Sequence, residues 1–346
     1  MSGRTQIFFT GATGYVGGAI LQKLATHPTA ANSEFTLLVR SPEKARLLED
    51  WGKTTPAGGV KILLGSLTDY DKVTAQVAKS DVVFSMADSY NDDPCKAILA
   101  GLKERFQNSG KVPILIHTSG TGTLKDDAQG KFEGETIYDD ITPDQIESLP
   151  DGVFHRNVDL LVLAADREGY AKTYIVFPPT IYGLPVGPLF DKNISNRHSH
   201  QIPFLIRAGV ARKQGGVVND GLNKWPCVHY DDCAEFYITL YTAILEDKAD
   251  HGRGGNYFIE NGEYRAYDLA KAITEELAEV GQSDKSTPVP FTAEEYEKTP
   301  MLSYFGTNSR CKASKARALG WKPKHPAEDI FASIRPEVRA LLNIQP

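Results

Sequence analysis

Thr10-Gly11-Ala12-Thr13-Gly14-Tyr15-Val16-Gly17-Gly18 follows directly on a β-type run that begins at Gln6. A helical pattern follows it at once, with Val16, Ile20, Leu21 and Leu24 on one side. Gly11 and Gly14 permit a tight turn and let backbone approach a pyrophosphate with no Cβ in the way. Gly17 lets the helix lie close to the strand. The free N–H groups and positive dipole end of the helix then face the phosphates. A glycine triplet alone is a weak signal. Its place between a strand and a helix, at the head of a βαβ series, identifies a dinucleotide-binding turn.

Outward from this turn the alternation continues. Phe35–Val39 reads as a second strand, and Pro42 opens a helix at a position where its missing N–H does no harm. Val60–Leu64, Asp81–Ser85, Pro113–His117 and Lys172–Phe177 are apolar runs of buried-strand length. Thr68–Ala78, Pro94–Asn108 and His155–Glu168 are the helices between them, the last closed by Gly169. Such βαβ units stack as a parallel sheet with both faces covered. The expected fold class is α/β, a doubly wound parallel Rossmann sheet with a smaller, mainly helical substrate-binding region.

Gly120–Gly152 is rich in Gly, Asp and Thr and shows little periodicity. It reads as a long excursion above the sheet, ordered by ligand or poorly ordered. After Pro178 the character changes. A helix is expected around Ile202–Val210, a strand at Val228–Tyr230, and a helix to Leu245 capped by Asp231 or Asp232. A strand at Asn256–Ile259, a helix at Ala266–Val280 and helices near Ala313–Leu319 and the C-terminus complete the pattern. The expected units are a dinucleotide-binding domain, residues 1–183 and 217–260, and a substrate-binding region, residues 184–216 and 261–346, with a cleft between them.

The composition narrows the function. The 346 residues carry a formal charge of −6, which disfavours a nucleic-acid partner. The longest purely aliphatic stretch, Leu160–Ala165, is far short of the roughly 18 residues a membrane span needs. Met1-Ser2-Gly3-Arg4 leads straight into a strand with no secretory pattern. Cys95, Cys227, Cys233 and Cys311 form no C-x-x-C pair and suggest a reducing compartment, so the reading is cytoplasmic. Cys227, His229, Asp232 and Cys233, and the pair His198 and His200, are metal-ligand types without a metal-site spacing, so no metal is expected.

The second strand ends Leu38-Val39-Arg40-Ser41, with no carboxylate at its tip to hold a ribose 2′-hydroxyl. Arg40 either forks onto a 2′-phosphate, with Ser41 adding a hydroxyl and Lys44 a charge, or stacks on the adenine. The reading favours NADP(H) over NAD(H).

These residues resemble the extended short-chain dehydrogenase/reductases, the NAD(P)-dependent epimerase/dehydratase-like group. The likeness runs through Thr10–Gly17, Val82–Ala87, Thr118-Ser119, Pro178–Gly183, Trp225, Val228–Asp232 and Ala318–Trp321. The wording of Ile116–Gly122 and His155–Asp159 is similar to a largely fungal subgroup. The resemblance implies that Gly11, Thr13, Gly14, Tyr15, Val16 and Gly17 hold the pyrophosphate. It places Ser66, where the family usually has Asp, and Leu67 by the adenine. Met86, Ala87 and Asp88 would lie by the ribose and phosphates, with Thr118 in the cofactor site and Pro178 and Ile181 flanking the nicotinamide. It assigns Ser119 to the reacting oxygen. It also admits a homodimer.

The family's Tyr-x-x-x-Lys pair is missing. The helix begins His155-Arg156-Asn157-Val158-Asp159, while Tyr138 is followed four residues on by Thr142 and Tyr170 by Tyr174. At about 4 Å and a dielectric near 20 a unit charge is worth roughly 4 kcal/mol, so a carboxylate at 159 raises a neighbour's pKa. Asp159 then either favours protonated His155, making it a proton donor, or accepts hydrogen bonds from the ribose hydroxyls; the alternative is that His155 is a polar helix-start residue and Asp159 pairs with Arg156 on the surface. His117 and Tyr182 are candidates for the substrate pocket, His117 from the carboxyl end of the fifth strand, where ligand binds in open α/β sheets, and Tyr182 with a packing role as its alternative. The leading reading is an NADP(H)-dependent oxidoreductase acting on a small carbonyl-type metabolite. A non-catalytic NADP(H)-sensing regulator and a non-redox isomerase or lyase on the same fold are the alternatives.

Overall fold

Runs of Val, Ile, Leu and Phe with no polar alternation suit strands buried on both faces, and in a computed structural model covering residues 3–345 they form one parallel sheet. Met1, Ser2 and Pro346, at the outer ends of the expected units, lie outside the described residues. The principal elements begin β1 (Thr5–Phe9), α1 (Tyr15–Leu24), β2 (Ser33–Val39), α2 (Pro42–Gly52), β3 (Val60–Leu64), α3 (Tyr70–Val77) and β4 (Val82–Ser85). They continue with α4 (Asp92–Ser109), β5 (Ile114–Thr118), α5 (Arg156–Arg167), β6 (Lys172–Phe177), β7 (Thr180–Tyr182), α6 (Gln201–Arg212) and β8 (Lys224–His229). The last are α7 (Tyr230–Leu245), β9 (Asn256–Phe258), β10 (Glu263–Arg265), α8 (Ala266–Glu279) and α9 (Ile334–Leu341).

The strand order is β9-β6-β5-β4-β1-β2-β3. Phe9 lies opposite both Leu37 and Phe84, and Thr118 opposite Val176. This register brings Thr10, Arg40, Met86, Ser119 and Pro178 to the carboxyl edge of the sheet. The order reverses between β1 and β4, the place where open α/β sheets leave a crevice for ligand. Phe8, Phe9, Leu37, Val83, Phe84, Ile116 and Val176 are buried in the first core. α1 buries Ile20, Leu21 and Leu24 and packs on α7.

A second sheet sets β8 between β7, parallel, and β10, antiparallel. It carries a second core of Tyr182, Ile202, Ile206, Trp225, Ile273 and Leu277. The expected division of the chain needs correction here. Leu189, Phe190 and Ile194, and further on Cys311, Ala313, Ala316 and Trp321, join the first core and not the second. Their apolar side chains cover the sheet's flank, and local periodicity does not reveal which core a residue joins.

Gly120–Gly152 also differs from expectation. It contains a 3-10 turn, Thr121–Leu124, and a short helix, Pro143–Glu147, and Tyr138-Asp139 pairs in parallel with Cys311-Lys312. The buried Asp140 carboxylate accepts the N–H groups of Phe258 and Lys315. Asp126 accepts both the backbone and side-chain N–H of Asn308. Polar contacts with the distant C-terminal segment hold this stretch in place.

The start of α7 is capped by His229, whose Nδ1 accepts the Asp231 N–H, and not by the expected aspartates. Asp231 pairs with Lys23 at 3.0 Å. Asp232 is buried and accepts the N–H groups of Lys324 and His325, both at 2.9 Å. Asp232→Ala removes a buried carboxylate that accepts two partly buried N–H groups and is expected to lower the unfolding free energy by roughly 1–3 kcal/mol. Urea denaturation checks this; an unchanged midpoint would show that the C-terminal segment is held elsewhere.

Candidate active site

The glycine turn is closed by the Gly14 N–H donating to the Gly11 carbonyl at 2.8 Å, with Gly11 in the left-handed region at φ 76°. A Cβ on Gly17 would stand 2.2 Å from the Gly11 oxygen, so only glycine lets the helix start that close. Gly14 caps α1 without a side-chain bond, and the first turn holds no acidic residue. The N–H groups of Tyr15, Val16 and Gly17 therefore have no helical acceptor and no neighbouring negative charge. Space, donors and charge together fit a diphosphate.

The turn is braced from both sides. The Thr10 hydroxyl accepts the N–H groups of Met86 and Ala87 at 3.0 and 3.3 Å, tying the end of β1 to that of β4. Tyr15 donates its hydroxyl to the Gly183 carbonyl at 2.5 Å. From the substrate side, Ser195 Oγ donates to the Ala12 carbonyl at 2.9 Å and the Asn196 N–H to the Thr13 carbonyl at 3.0 Å.

From this turn a cleft of about 1410 Å³ extends both ways along the sheet edge. Gly11, Thr13, Gly14, Tyr15, Val16 and Gly17 line its middle. Arg40, Ser66, Leu67, Met86, Ala87 and Asp88 line one end. Arg40 is exposed there. Ser41 and Lys44 do not line it: the Ser41 hydroxyl accepts the Lys44 backbone N–H and caps α2, which occupies that hydroxyl. Asp88, in the left-handed region at φ 58°, spends its carboxylate on Tyr90 and Asn91 N–H groups. It shapes the loop.

At the other end Thr118, Ser119, Pro178 and Ile181 line the cleft. Thr118 Oγ shares a hydrogen bond with the Tyr237 hydroxyl at 2.8 Å. Ser119 Oγ donates to Asp159 Oδ2 at 2.9 Å. Asp159 is fully buried and does not reach the cleft; burial pushes its carboxyl up to about 7, against the opposing Ser119 bond and Arg156 charge. Its other oxygen stands 3.8 Å from His117 Nε2, and neither atom has another partner.

Three sequence expectations are corrected here. His117 is not a pocket residue: it is 2% exposed, lies behind Ser119, and burial lowers it to about 3, so it is neutral. His155 does line the cleft, but Asp159 is turned to Ser119 and His117. Burial lowers His155 to about 4. Its Nδ1 lies 3.3 Å from the Ser89 carbonyl and, as donor there, leaves Nε2 an acceptor. His155 is thus neutral and placed to accept a hydrogen bond through Nε2, and not, as expected, to give a proton. Tyr182 is buried in the second core and donates its hydroxyl to the Pro326 carbonyl, which keeps it out of the cleft.

The sequence reading missed Tyr90, Phe154, Tyr304 and Phe305 as lining residues. Phe154 adjoins the singled-out His155, but no local pattern marks the others. It also missed Asn196. Among the described residues no group of three His, Cys, Asp or Glu side chains is placed to hold a metal ion, and no helix is long and apolar enough to cross a membrane.

The model of an NAD(P)H-binding family matches residues 11–139. The chain is 30% identical over 342 residues to the oxidase ucsJ of an Acremonium species, covering 93% of each chain. It is 26% identical over 352 residues to an uncharacterised protein of Saccharomyces cerevisiae, covering 95% of this chain and 98% of that one. Among solved structures, a UDP-glucuronic acid 4-epimerase of Bacillus cereus, in complex with UDP-glucuronic acid and NAD, superposes with a TM-score of 0.64. Identity is 15%, covering 97% of this chain and 100% of the epimerase, a likeness of fold alone. With its parallel sheet, its glycine turn and a relative matched along nearly its whole length, the chain belongs to the family of the oxidase ucsJ, with an NAD(P)H-binding amino-terminal part and the fold seen in NAD-dependent epimerases and dehydratases.

Proposed function

We propose that this protein is an NADP(H)-dependent oxidoreductase that reduces the carbonyl group of a small metabolite in the cleft between its nucleotide and substrate regions. The observation that carries the reading is the Ser119 hydroxyl, on the cleft surface past β5 and bonded to a buried carboxyl that titrates near neutrality. The glycine turn with Tyr15, Val16 and Gly17 holds the diphosphate. Ser66, Leu67, Met86, Ala87 and Asp88 surround the adenosine, and Thr118, Pro178 and Ile181 border the nicotinamide. When bound, that ring supplies hydride.

When the Asp159 carboxyl is protonated its O–H donates to Ser119 Oγ, which frees the Ser119 O–H to hydrogen-bond the substrate oxygen and give it a proton. The carboxyl of Asp159, protonated in a substantial fraction near pH 7, returns a proton to Ser119 Oγ. His155 Nε2 accepts a hydrogen bond from the substrate side. Asp159 works through Ser119 and is a positioning and proton-storing residue. Scanning the purified protein for NADPH oxidation with aldehydes, ketones and enones tests the reading. Tight NADPH binding without turnover on any of them would overturn it in favour of a cofactor sensor. That second reading is favoured by the carboxylate that fills the position of the family's lysine.

The NADP preference rests on Arg40, exposed at the adenosine end with no carboxylate at the tip of β2. Arg40→Ala is expected to weaken NADP(H) binding about 10- to 100-fold by removing a charge-assisted fork on the 2′-phosphate, and to leave NAD(H) binding nearly unchanged. Calorimetry with both cofactors decides; equal losses for the two would point to adenine stacking.

A further inference from the structure

The wall of the cleft beyond Ser119 is a continuous band of aromatic rings. Tyr90 lies 4.6 Å from Phe154 and 4.8 Å from His155, centroid to centroid. Phe154 reaches Tyr304 at 6.0 Å, and Tyr304 reaches Trp225 at 5.1 Å and Phe305 at 5.9 Å. All six rings line the cleft. They come from the turn after β4, the start of α5, β8 and the turn at 300–306, so the fold assembles them from four separate places. The Trp225 indole is fixed by its N–H, which donates to the Thr307 carbonyl at 2.6 Å. Such a band offers flat faces and edges at ring-stacking distances.

Charge in the cleft is equally informative. Its Lys and Arg side chains are Arg40, Lys96 and Lys125. Arg40 stands at the adenosine end, and Lys96 is engaged by Asp92 and Asp93 at 3.5 and 3.6 Å. His198 is taken by Glu337 at 2.8 Å. Only Lys125 stands by the rings, its Nζ 5.9 Å above Tyr304. Where no glycine turn presents free N–H groups as it does for the cofactor, a second diphosphate is held by cations and favours the arginine fork. One lysine suits at most a single acidic group.

We infer that the substrate is a planar, conjugated carbonyl compound, uncharged or carrying one acidic group and seated on this aromatic band, and not a nucleotide sugar. The inference deepens the oxidoreductase reading and rests on it for the reaction; its test is therefore a binding measurement. The NADP⁺-loaded protein is titrated by calorimetry with cinnamaldehyde, with nonanal, which has as many carbons but no ring, and with UDP-glucose. Cinnamaldehyde is expected to bind about tenfold tighter than nonanal, with little heat from UDP-glucose. Tyr90→Ala, a change at a half-exposed ring, is expected to close that gap by weakening cinnamaldehyde alone. Parity of the two aldehydes, no binding of cinnamaldehyde, or tighter binding of UDP-glucose overturns the inference. NADPH oxidation is measured separately. Tight cinnamaldehyde binding without turnover sinks the redox reading and leaves the substrate class standing; turnover of nonanal without aryl preference does the reverse.

Discussion

Replacing Gly17 with alanine is expected to weaken NADP(H) binding at least about 100-fold, equivalent to roughly 2.7 kcal/mol. The added methyl would lie 2.2 Å from the oxygen and 2.8 Å from the carbon of the Gly11 carbonyl. Both are backbone atoms, so no rotamer change relieves the clash. Either α1 must withdraw or the turn must open. Withdrawal is resisted by Ile20, Leu21 and Leu24, buried against the sheet and α7. Opening breaks the Gly14-to-Gly11 bond that closes the turn. In either case the N–H groups of Tyr15, Val16 and Gly17 no longer converge on one point. Calorimetric titration, with circular dichroism as a control for folding, measures the effect. A folded Gly17→Ala protein with unchanged affinity would remove this turn from the cofactor site.

The second large effect is expected at Asp159, and it has two opposite parts. Asp159→Asn keeps an acceptor for the Ser119 hydroxyl but stores no proton, so turnover should fall roughly 100-fold or more. The ionisation near pH 7 should also vanish from the pH dependence of kcat. Stability should move the other way. The carboxyl is raised from 3.8 to about 7 by burial. Between those values the folded state binds a proton that the unfolded chain has released. The stability associated with it is present below pH 4 and is lost as pH rises through 7. Asparagine never ionises, so the variant should be more stable than the parent at pH 8, by up to roughly 4 kcal/mol. The advantage should disappear near pH 4. His117 has the reverse sign: lowered from 6.5 to about 3, it costs stability as pH falls below 6.5 in parent and variant alike. Thermal melts of both proteins from pH 4 to pH 8 separate the two groups. Equal melting curves at every pH would show that folding leaves the Asp159 pKa unshifted, so that it is an ordinary ionised carboxylate in the fold.

Much of the sheet is legible in the sequence because a strand covered on both faces must be apolar throughout. Ile7–Phe9, Val82–Phe84 and Ile114–Ile116 announce themselves in that way. The turn from Gly11 to Gly17 is legible because each glycine answers a local steric demand. The candidate site is legible only where its residues lie next to strand ends, as Ser119 and Pro178 do. The direction in which a buried side chain points is not written locally. His155 and Asp159 are one helical turn apart and suggest a pair, yet Asp159 bonds Ser119, 40 positions away. The rings of Phe154 and Tyr304 meet across half the chain, and the contacts between Asp126 and Asn308 span 182 positions. No period or motif records such meetings; they arise when the two cores close.

The grip of Ser195 and Asn196 on the carbonyls of Ala12 and Thr13 has a practical consequence for redesign. Asn196 and residues 198–201 also line the cleft, so one stretch of chain buttresses the glycine turn and walls the space proposed for substrate. Grafting a foreign loop there to retrain selectivity would also loosen that turn, unless the graft retained these two contacts.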